Sequence, residues 1–206
     1  MPWIDERGRP RPPLDGSRPV HRDYTTRRHD PERGELDVDF VIHGDGPASS
    51  WAERARPGDV VGVLGPRGSR MVPLTHGAYL LGGDETALPA LARWLERLPA
   101  GVPATVLVEV HDAAEELPLP TAADARITWL HRDGEPAGAS NRLARAVREV
   151  TLMDDTYAWF AGEAGALRAV RRHLRDEAGL GADRVEVDGY WRRGVADHDH
   201  HQPVED

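Results

Sequence analysis

The sequence contains no cysteine. This absence excludes disulfide bonds, cysteine-ligated iron–sulfur clusters and a thiol nucleophile, so any redox chemistry needs a borrowed cofactor. No apolar run approaches the roughly 20 residues that a membrane-spanning helix needs, and the N-terminal stretch lacks the apolar segment of a signal peptide. We therefore expect a cytoplasmic protein.

Positive charge is in the minority, with 26 Lys and Arg residues against 35 Asp and Glu residues and a formal net charge of −9. Because this charge repels nucleic acids and anionic membranes, we expect neither as a partner. What is present suits a folded chain: 206 residues, 39% of them hydrophobic, can form one large or two small domains with a sizeable core.

Residues 1–75 have the pattern of a small antiparallel sheet or part of a barrel. Residues 1–16 are rich in Pro, Arg and Gly, which predicts a mobile arm. Residues 35–42 alternate between apolar and mostly acidic side chains, which indicates a strand with one buried face. The turn sequence at 57–59 precedes a second apolar run at 60–64.

From residue 79 the sequence alternates between strand and helix patterns. Strands are predicted at 79–81, 104–110, 126–131, 157–162 and 184–191, and helical apolar spacing occurs at 88–98, 143–150 and 167–174. Such alternation predicts an α/β domain, at residues 76–206, with a mostly parallel sheet and helices on both faces. We expect residues 196–206 to be a disordered acidic tail, and weak metal binding by its histidines is the alternative.

Two strand-to-helix loops, at residues 83–86 and 162–164, are expected at the same edge of that sheet, where open sheets bind ligands. Asp84 and Glu85 disfavour a closely held phosphate. Their carboxylates suit a ribose hydroxyl, a positively polarised ring or the capping of a helix. The residues alone therefore leave a cofactor loop and an ordinary helix start as equal alternatives.

Four segments resemble the siderophore-interacting protein family, which comprises FAD-dependent ferric-siderophore reductases of the ferredoxin-reductase superfamily. They are RDYTTRRHD (22–30), ELDVDFVIHGDGPASSWA (35–52), GDETALPALARWL (83–95) and AGEAGALRAVRRHL through GYWRRG (161–194). The resemblance implies an FAD-binding β-barrel followed by an NAD(P)-binding α/β domain. It also implies hydride transfer from NADH or NADPH to FAD, and reduction of a ferric siderophore to release Fe(II).

The resemblance assigns residues to these ligands and requires no catalytic side chain, because the cofactor carries the chemistry. For FAD it implies Arg22, Tyr24 and Thr25 of an R-x-Y-T motif, together with His43, Gly44, Gly46, Pro47, Ala48, Ser49 and Trp191. For NAD(P) it implies Gly83, Asp84, Glu85, Thr86, Arg132, Gly162, Glu163 and Ala164, and for the anionic siderophore Arg192 and Arg193. From the residues alone, His43 also suits a structural role. Arg132, Arg192 and Arg193 equally suit solvent-exposed positions that bind no ligand.

Only residues 1–21 precede the R-x-Y-T motif, whereas family members usually carry a longer stretch of barrel there. We therefore expect the first barrel strands to be missing and the flavin site to be shallower. Two alternatives follow: a flavin-poor module that binds a nucleotide or a partner, and a general flavin or ferric reductase without siderophore preference. The family resemblance also allows a ferredoxin as a partner.

Overall fold

The computed structural model describes residues 20–44, 46–65, 72–198 and 204. The chain divides into two compact units, of which the smaller comprises Met1–Tyr24 and Phe40–Met71 and the larger comprises Thr25–Asp39 and Val72–Asp206. The predicted arm at 1–16 lies outside the described residues, as do most residues of the predicted tail.

The helices and strands follow one another as the sequence pattern predicts for an α/β domain. In chain order they are β1 (Thr26–Asp30), β2 (Glu35–Val38), α1 (Pro47–Arg54), β3 (Ala78–Gly83), α2 (Leu88–Arg97), β4 (Pro103–Val110), β5 (Asp124–His131), α3 (Arg142–Arg148), β6 (Thr156–Glu163), α4 (Ala164–Arg172) and β7 (Val185–Trp191). Of these, α1 belongs to the smaller unit and the others to the larger unit.

The larger unit is built on a five-stranded sheet in the order β5-β4-β3-β6-β7. All four neighbouring pairs are parallel, which confirms the predicted fold class. β3 is the central strand, and all six of its residues are buried. It has β4 on one side and β6 on the other, so the chain changes direction across the sheet at β3.

Helices cover both faces of this sheet because its strands are apolar on both sides. On one face α2 places Leu91 and Leu95 in a cluster with Leu81 and Trp159. On the other face α3 and α4 pack on the opposite side chains, among them Phe160. Each fully buried leucine contributes about 1.5–3 kcal/mol relative to an exposed one, so the two clusters account for much of the stability of this unit.

One residue near the C-terminus departs from the expectation of a disordered tail. Val204 is 5% exposed and packs in the second cluster, beside the backbone of Gly189 in β7. A Cβ added to Gly189 would lie 3.3 Å from a Val204 methyl group. The side chain of Val204 is therefore removed from water.

The hairpin of β1 and β2 belongs to the larger unit, although it precedes the expected domain boundary. Its strands pair antiparallel, and Arg28 in β1 bonds to Asp37 across the hairpin at 2.6 Å. Arg27 donates to Glu96 of α2 at 2.6 Å and so ties the hairpin to the α/β domain. An antiparallel sheet was expected in this part of the chain, but its strands are β1 and β2 rather than residues 35–42 and the run 60–64.

Two sequence expectations in this region were wrong. The strand predicted over 35–42 ends at Val38, and Ile42 is 52% exposed. The apolar run 60–64 forms no strand, and Val60 is 90% exposed. An alternating pattern makes a strand only where a neighbouring strand and a covering layer exist, and the described residues provide neither for these two segments.

Candidate functional site

The two loops predicted to bind a cofactor lie beside each other at the carboxyl edge of the parallel sheet. Gly83 ends β3, Gly162 and Glu163 end β6, and the two strands are paired with Gly83 opposite Ala161. A Cβ at Gly83 would lie 2.0 Å from the Ala161 carbonyl oxygen, so the close approach requires glycine. Because the strand order reverses here, this edge is the topological switch point at which open α/β sheets bind ligands.

The carboxylate of Asp84 joins the two loops. Its Oδ1 accepts the backbone N–H of Thr86 at 3.0 Å and the Thr86 hydroxyl at 2.5 Å. Its Oδ2 accepts the backbone N–H of Glu163 at 2.9 Å and the indole N–H of Trp191 at 2.8 Å. Burial raises the pKa of Asp84, while the hydrogen bonds from Thr86 and Trp191 lower it. Asp84 therefore caps the turn Glu85–Ala87, one of the roles that the sequence left open.

The carboxylate of Glu163, in the second loop, accepts hydrogen bonds from the start of α4 and from the chain just after β7. Glu163 accepts the backbone N–H of Ala166 at 2.6 Å and so caps α4, which begins at Ala164. Its other oxygen accepts the backbone N–H of Arg193 at 3.0 Å. Gly162 has φ +145°, and a Cβ there would lie 2.6 Å from the Asp84 carboxylate. A capped helix start of this kind favours contacts with hydroxyl or amide groups over contacts with a phosphate.

Arg132 lies at the same edge, directly after β5. It is 4% exposed, and both of its terminal nitrogens bond to Glu85, Nη1 to Oε2 at 2.9 Å. Nη1 also lies 3.8 Å from Glu109 Oε1, and Ser140 donates to the other oxygen of Glu109 at 2.5 Å. Burial lowers the pKa of Arg132, but the hydrogen bonds and charges of the two glutamates outweigh this and raise it. Its Nε has no acceptor among the described residues.

The two arginines predicted to attract the siderophore lie beyond the end of β7. The side chains of Arg192 and Arg193 are both exposed. A backbone bridge between Arg192 and Val195 folds the chain back at this point, with the Val195 N–H donating to the Arg192 carbonyl at 3.0 Å. The Glu163 bond to the Arg193 N–H holds this bend against the second loop.

The smaller unit contains the segment expected to meet the FAD pyrophosphate. Helix α1 begins with Gly46 at its N-cap and Pro47 in its first turn, with no acid in that turn and no side-chain cap from the described residues. The backbone N–H groups of Ala48 and Ser49 therefore belong to a helix start that favours an anion. The Ser49 hydroxyl accepts the backbone N–H of His43 at 2.7 Å, which holds the preceding turn against the helix.

An aromatic row lies in the same unit. Tyr24 is 42% exposed, and its ring centroid lies 4.5 Å from that of Phe40, which lies 5.8 Å from that of Trp51. Burial raises the pKa of Tyr24, and the charge of Arg22 lowers it, so the two side chains interact electrostatically. An exposed ring backed by other rings fits a flat cofactor ring, and an uncapped helix start fits a diphosphate. These residues therefore fit FAD.

The predicted site residues thus fall into two groups. Those at the ends of β3, β6 and β7 in the larger unit form one hydrogen-bonded network, and Gly44 and the segment Gly46 to Ser49 lie at the start of α1 in the smaller unit. The R-x-Y-T motif crosses the unit boundary, because Tyr24 ends one segment of the smaller unit and Thr25 begins the larger unit.

Sequence reasoning did not single out Glu109, Ser140 or Gly138. Glu109 is the one acidic residue of the apolar strand β4, which is a signal that a buried charge has a partner. Gly138 has φ +70°, and a Cβ there would lie 3.0 Å from the ring of Trp191. A glycine in a loop sequence gives no such indication.

The described part of the chain contains no helix that is long and apolar enough to cross a membrane. Among the same residues, no group of three or more His, Asp and Glu side chains is placed to hold a metal ion.

Comparisons with known proteins agree with this arrangement. Residues 76–194 match the family model described as siderophore-interacting protein, and residues 2–70 match the siderophore-interacting FAD-binding domain. The ferric vibriobactin reductase ViuB of Vibrio cholerae is 34% identical over 90% of this chain and 69% of its own length. The NADPH-dependent ferric-chelate reductase of Escherichia coli is 37% identical over 86% of this chain and 68% of its own length.

A solved structure, that of a siderophore utilization protein from T. fusca, superposes with a TM-score of 0.86 at 46% identity, over 97% of this chain and 76% of that one. The matches extend through the smaller unit and through the five-stranded sheet with its loop network. The chain therefore belongs to the siderophore-interacting protein family.

Proposed function

We propose that this protein is an FAD-dependent NAD(P)H oxidoreductase that reduces ferric siderophores and thereby releases Fe(II). The observation that carries the proposal is the pairing of two features in one chain. One is a parallel sheet whose switch-point loops are joined by the Asp84 carboxylate. The other is an FAD-binding family match that covers the uncapped start of α1. Two relatives are named as ferric reductases.

When bound, FAD accepts a hydride, which carries two electrons, and passes them singly to Fe(III). For each NAD(P)H oxidised to NAD(P)⁺, two Fe(III) chelates become Fe(II) and one proton is released. Hard oxygen chelators hold Fe(III) far more tightly than Fe(II), so reduction itself loosens the metal. The protein residues supply binding and orientation, and no side chain acts as nucleophile, acid or base.

For FAD, Arg22 and the free amides at the start of α1 would hold the diphosphate, since a guanidinium pairs with two phosphate oxygens and a helix start favours an anion. The exposed ring of Tyr24 would lie against the flavin, with Thr25 and His43 as neighbouring polar groups. In the larger unit, Trp191 presents a partly exposed ring held at its indole nitrogen, which suits stacking on a cofactor ring.

For the nicotinamide dinucleotide, the loops at 83–86 and 162–164 would meet ribose and nicotinamide rather than phosphate, because Asp84, Glu85 and Glu163 make this edge acidic. Arg132 is the cation there, and it could bind a 2′-phosphate only by exchanging the Glu85 carboxylate for it. The donor is NADPH or NADH, and a ferredoxin is a further proposed electron partner. The exposed Arg192 and Arg193 would attract the anionic siderophore. We place the enzyme in the cytoplasm, where reduced nicotinamide is available.

The test is to measure FAD retention first and then turnover. The purified protein is mixed with FAD, desalted and scanned for the flavin bands, and then assayed with NADPH or NADH and a ferric siderophore. We expect Arg22→Ala to weaken FAD binding at least about tenfold, since a charged hydrogen bond to phosphate is lost. Arg33→Ala, at an exposed arginine of the hairpin turn that pairs with Glu35, is the matched control and should bind FAD normally. Equal affinities of the two variants would remove Arg22 from the site.

A second candidate is a flavin-poor module that binds a nucleotide or a partner without efficient turnover. It is favoured by the exposed apolar run of the smaller unit, in which Val60, Val63 and Leu64 are 90%, 65% and 56% exposed. Exposed apolar patches of this kind commonly mark surfaces that bind a partner or a ligand. A protein that loses all flavin absorbance on desalting, yet still binds NADPH, would support this candidate. Turnover of simple ferric chelates as fast as ferric siderophores would indicate a general reductase.

A further inference from the structure

We propose that Asp84 is a positioning residue that holds the Trp191 ring in one orientation for electron transfer, rather than only the cap of a turn. This inference rests on the proposed function, because it concerns the orientation in which the Trp191 ring stacks on the cofactor ring. The sequence suggested contacts of Asp84 with a ribose or a nicotinamide. The structure instead occupies both of its oxygens with donors from the chain itself.

The hydrogen bonds of Asp84 are complete. Each oxygen accepts two donors, and no ion pair to the carboxylate is found among the described residues, although the charge of Arg132 interacts with it at longer range. A buried carboxylate without a direct ion pair is costly, so it is retained only where its acceptors are needed. Capping the turn needs only Oδ1, which accepts from Thr86. Oδ2 faces the other way, toward the Glu163 amide and the Trp191 indole.

The Trp191 ring is held at two places. Its nitrogen edge donates to Asp84 at 2.8 Å. Its far edge lies against Gly138, where even a Cβ would come within 3.0 Å of the ring and within 2.6 Å of the Glu163 side chain. A ring held at both edges cannot turn about χ2, yet it stays partly exposed. The bond from Asp84 therefore determines which face of the indole is open to a ligand.

The indole also connects to the rest of the loop network through the chain. Arg193, two residues further on, is held by Glu163, and the Glu163 amide is held by the same Asp84 oxygen as the indole. Loss of the Asp84 acceptor would therefore free the ring and loosen the bend that carries the exposed arginines. A misplacement of about 1 Å in such a site can lower the rate by about a hundredfold.

The first experiment measures the orientation of the ring without turnover. In ¹H–¹⁵N spectra of the protein without added cofactor, the Trp191 indole signal is identified by its loss in Trp191→Phe. Asp84→Asn can place an amide N–H opposite the indole N–H, so the hydrogen bond to Trp191 is lost. We therefore expect the Trp191 indole signal to shift or broaden while the other indole signals stay unchanged. An unchanged signal would overturn the proposal at its first step.

The second experiment measures turnover with saturating FAD and NADPH. We expect Asp84→Asn to lower kcat about tenfold, with the Kd of FAD changed less than about twofold. In a Trp191→Phe background the same substitution should lower kcat less than about twofold, because residues that act through one another are not additive. A full tenfold loss in that background would show that Asp84 does not act through the indole, and would overturn the proposal.

Controls separate this outcome from misfolding and from failure of the proposed function. Asp112 caps the turn Ala113–Glu115 in the same way, accepting the Ala114 N–H at 2.8 Å, but its side chain is half-exposed and lies 3.7 Å from the ring of the neighbouring His111 rather than bonding to an indole, so Asp112→Asn should keep full activity. If Asp84→Asn does not fold, Trp191→Phe alone decides: an unchanged kcat overturns the proposal. If the wild-type protein shows no NAD(P)H-dependent reduction, both the proposed function and this inference are wrong. If the wild type and Asp84→Asn are equally active, only the inference is wrong.

Discussion

Replacing Arg132 by methionine should destabilise the protein strongly. The substitution keeps an unbranched side chain of similar length but removes the cation that pairs with both Glu85 and Glu109. The side chains of Arg132 and Glu109 are 5% and 7% exposed, and that of Glu85 is 14% exposed. The variant would therefore leave two carboxylates in a site that is nearly closed to water.

The expected magnitude follows from the distances. At 3.8 Å between Arg132 and Glu109, two unit charges attract by about 4 kcal/mol at an effective dielectric constant of about 20, and the bonds to Glu85 are shorter. Desolvation offsets part of this attraction in the wild type, but the variant keeps the desolvated glutamates and loses the attraction. Removing one partner of a buried pair typically costs about 3–5 kcal/mol.

Urea unfolding at neutral pH, followed by the fluorescence of the core residues Trp94 and Trp159, measures this cost. For a slope of about 2 kcal/mol per M urea, the midpoint should fall by roughly 1.5–2.5 M. Arg142→Met is the matched control, because Arg142 pairs with Glu135 at positions that are 36% and 37% exposed. We expect that change to cost less than about 1 kcal/mol.

A double variant identifies the cause of the loss. Glu85→Gln added to Arg132→Met removes one unpaired carboxylate, so it should restore at least about 1 kcal/mol. If Arg132→Met unfolds at the same urea concentration as Arg142→Met, or if the added Glu85→Gln makes the protein still less stable, the electrostatic account of this cluster is wrong.

Three further predictions concern packing, strain and pH. Gly162→Ala should lower the free energy of unfolding in urea by about 1–3 kcal/mol, because its Cβ would lie 2.6 Å from the buried Asp84 carboxylate. Gly101→Ala, where φ is also positive but the Cβ would meet open space, should lower it less. Leu95→Ala, at 0% exposure, should cost about 2–5 kcal/mol, whereas Leu117→Ala, at 50% exposure, should stay within about 0.5 kcal/mol. Hydrogen bonds from the His76 ring and the Gly77 backbone amide lower the pKa of Asp155 below its usual value of 3.8. The ionised carboxylate therefore stabilises the folded state above pH 3.8, and this stabilisation is lost as the pH falls through the lower pKa of the folded state. Asp155→Asn should therefore lower the Tm near neutral pH, and its Tm should converge with that of the wild type in acid, whereas a constant difference would contradict this account.

The α/β domain could be predicted from the sequence because its signals are local. Runs such as ATVLVEV are too apolar for a half-exposed strand, and the spacing of Leu88, Leu91 and Leu95 has the period of a helix. The two loops were expected at one edge because the carboxyl ends of parallel strands meet there. The structure places both loops at that edge.

The partners of the charged residues could not be predicted, because they depend on the order of strands in space. Glu85 and Arg132 are 47 positions apart in the chain, and they meet because β4 lies between β3 and β5. Alternation alone was misleading at Ile42, since burial needs a second layer that the pattern does not contain. Asp84 had three possible roles by sequence, and only the positions of Trp191 and Glu163 show what its second oxygen contacts.

The shared carboxylate at the end of β3 has a consequence for local unfolding. Segments from three distant parts of the chain, at Thr86, Glu163 and Trp191, bond to Asp84. None of them can open to solvent without disturbing the acceptor of the other two, so they should open together as one cooperative unit. The deuterium exchange rate of the Glu163 amide would then report the opening free energy of all three segments.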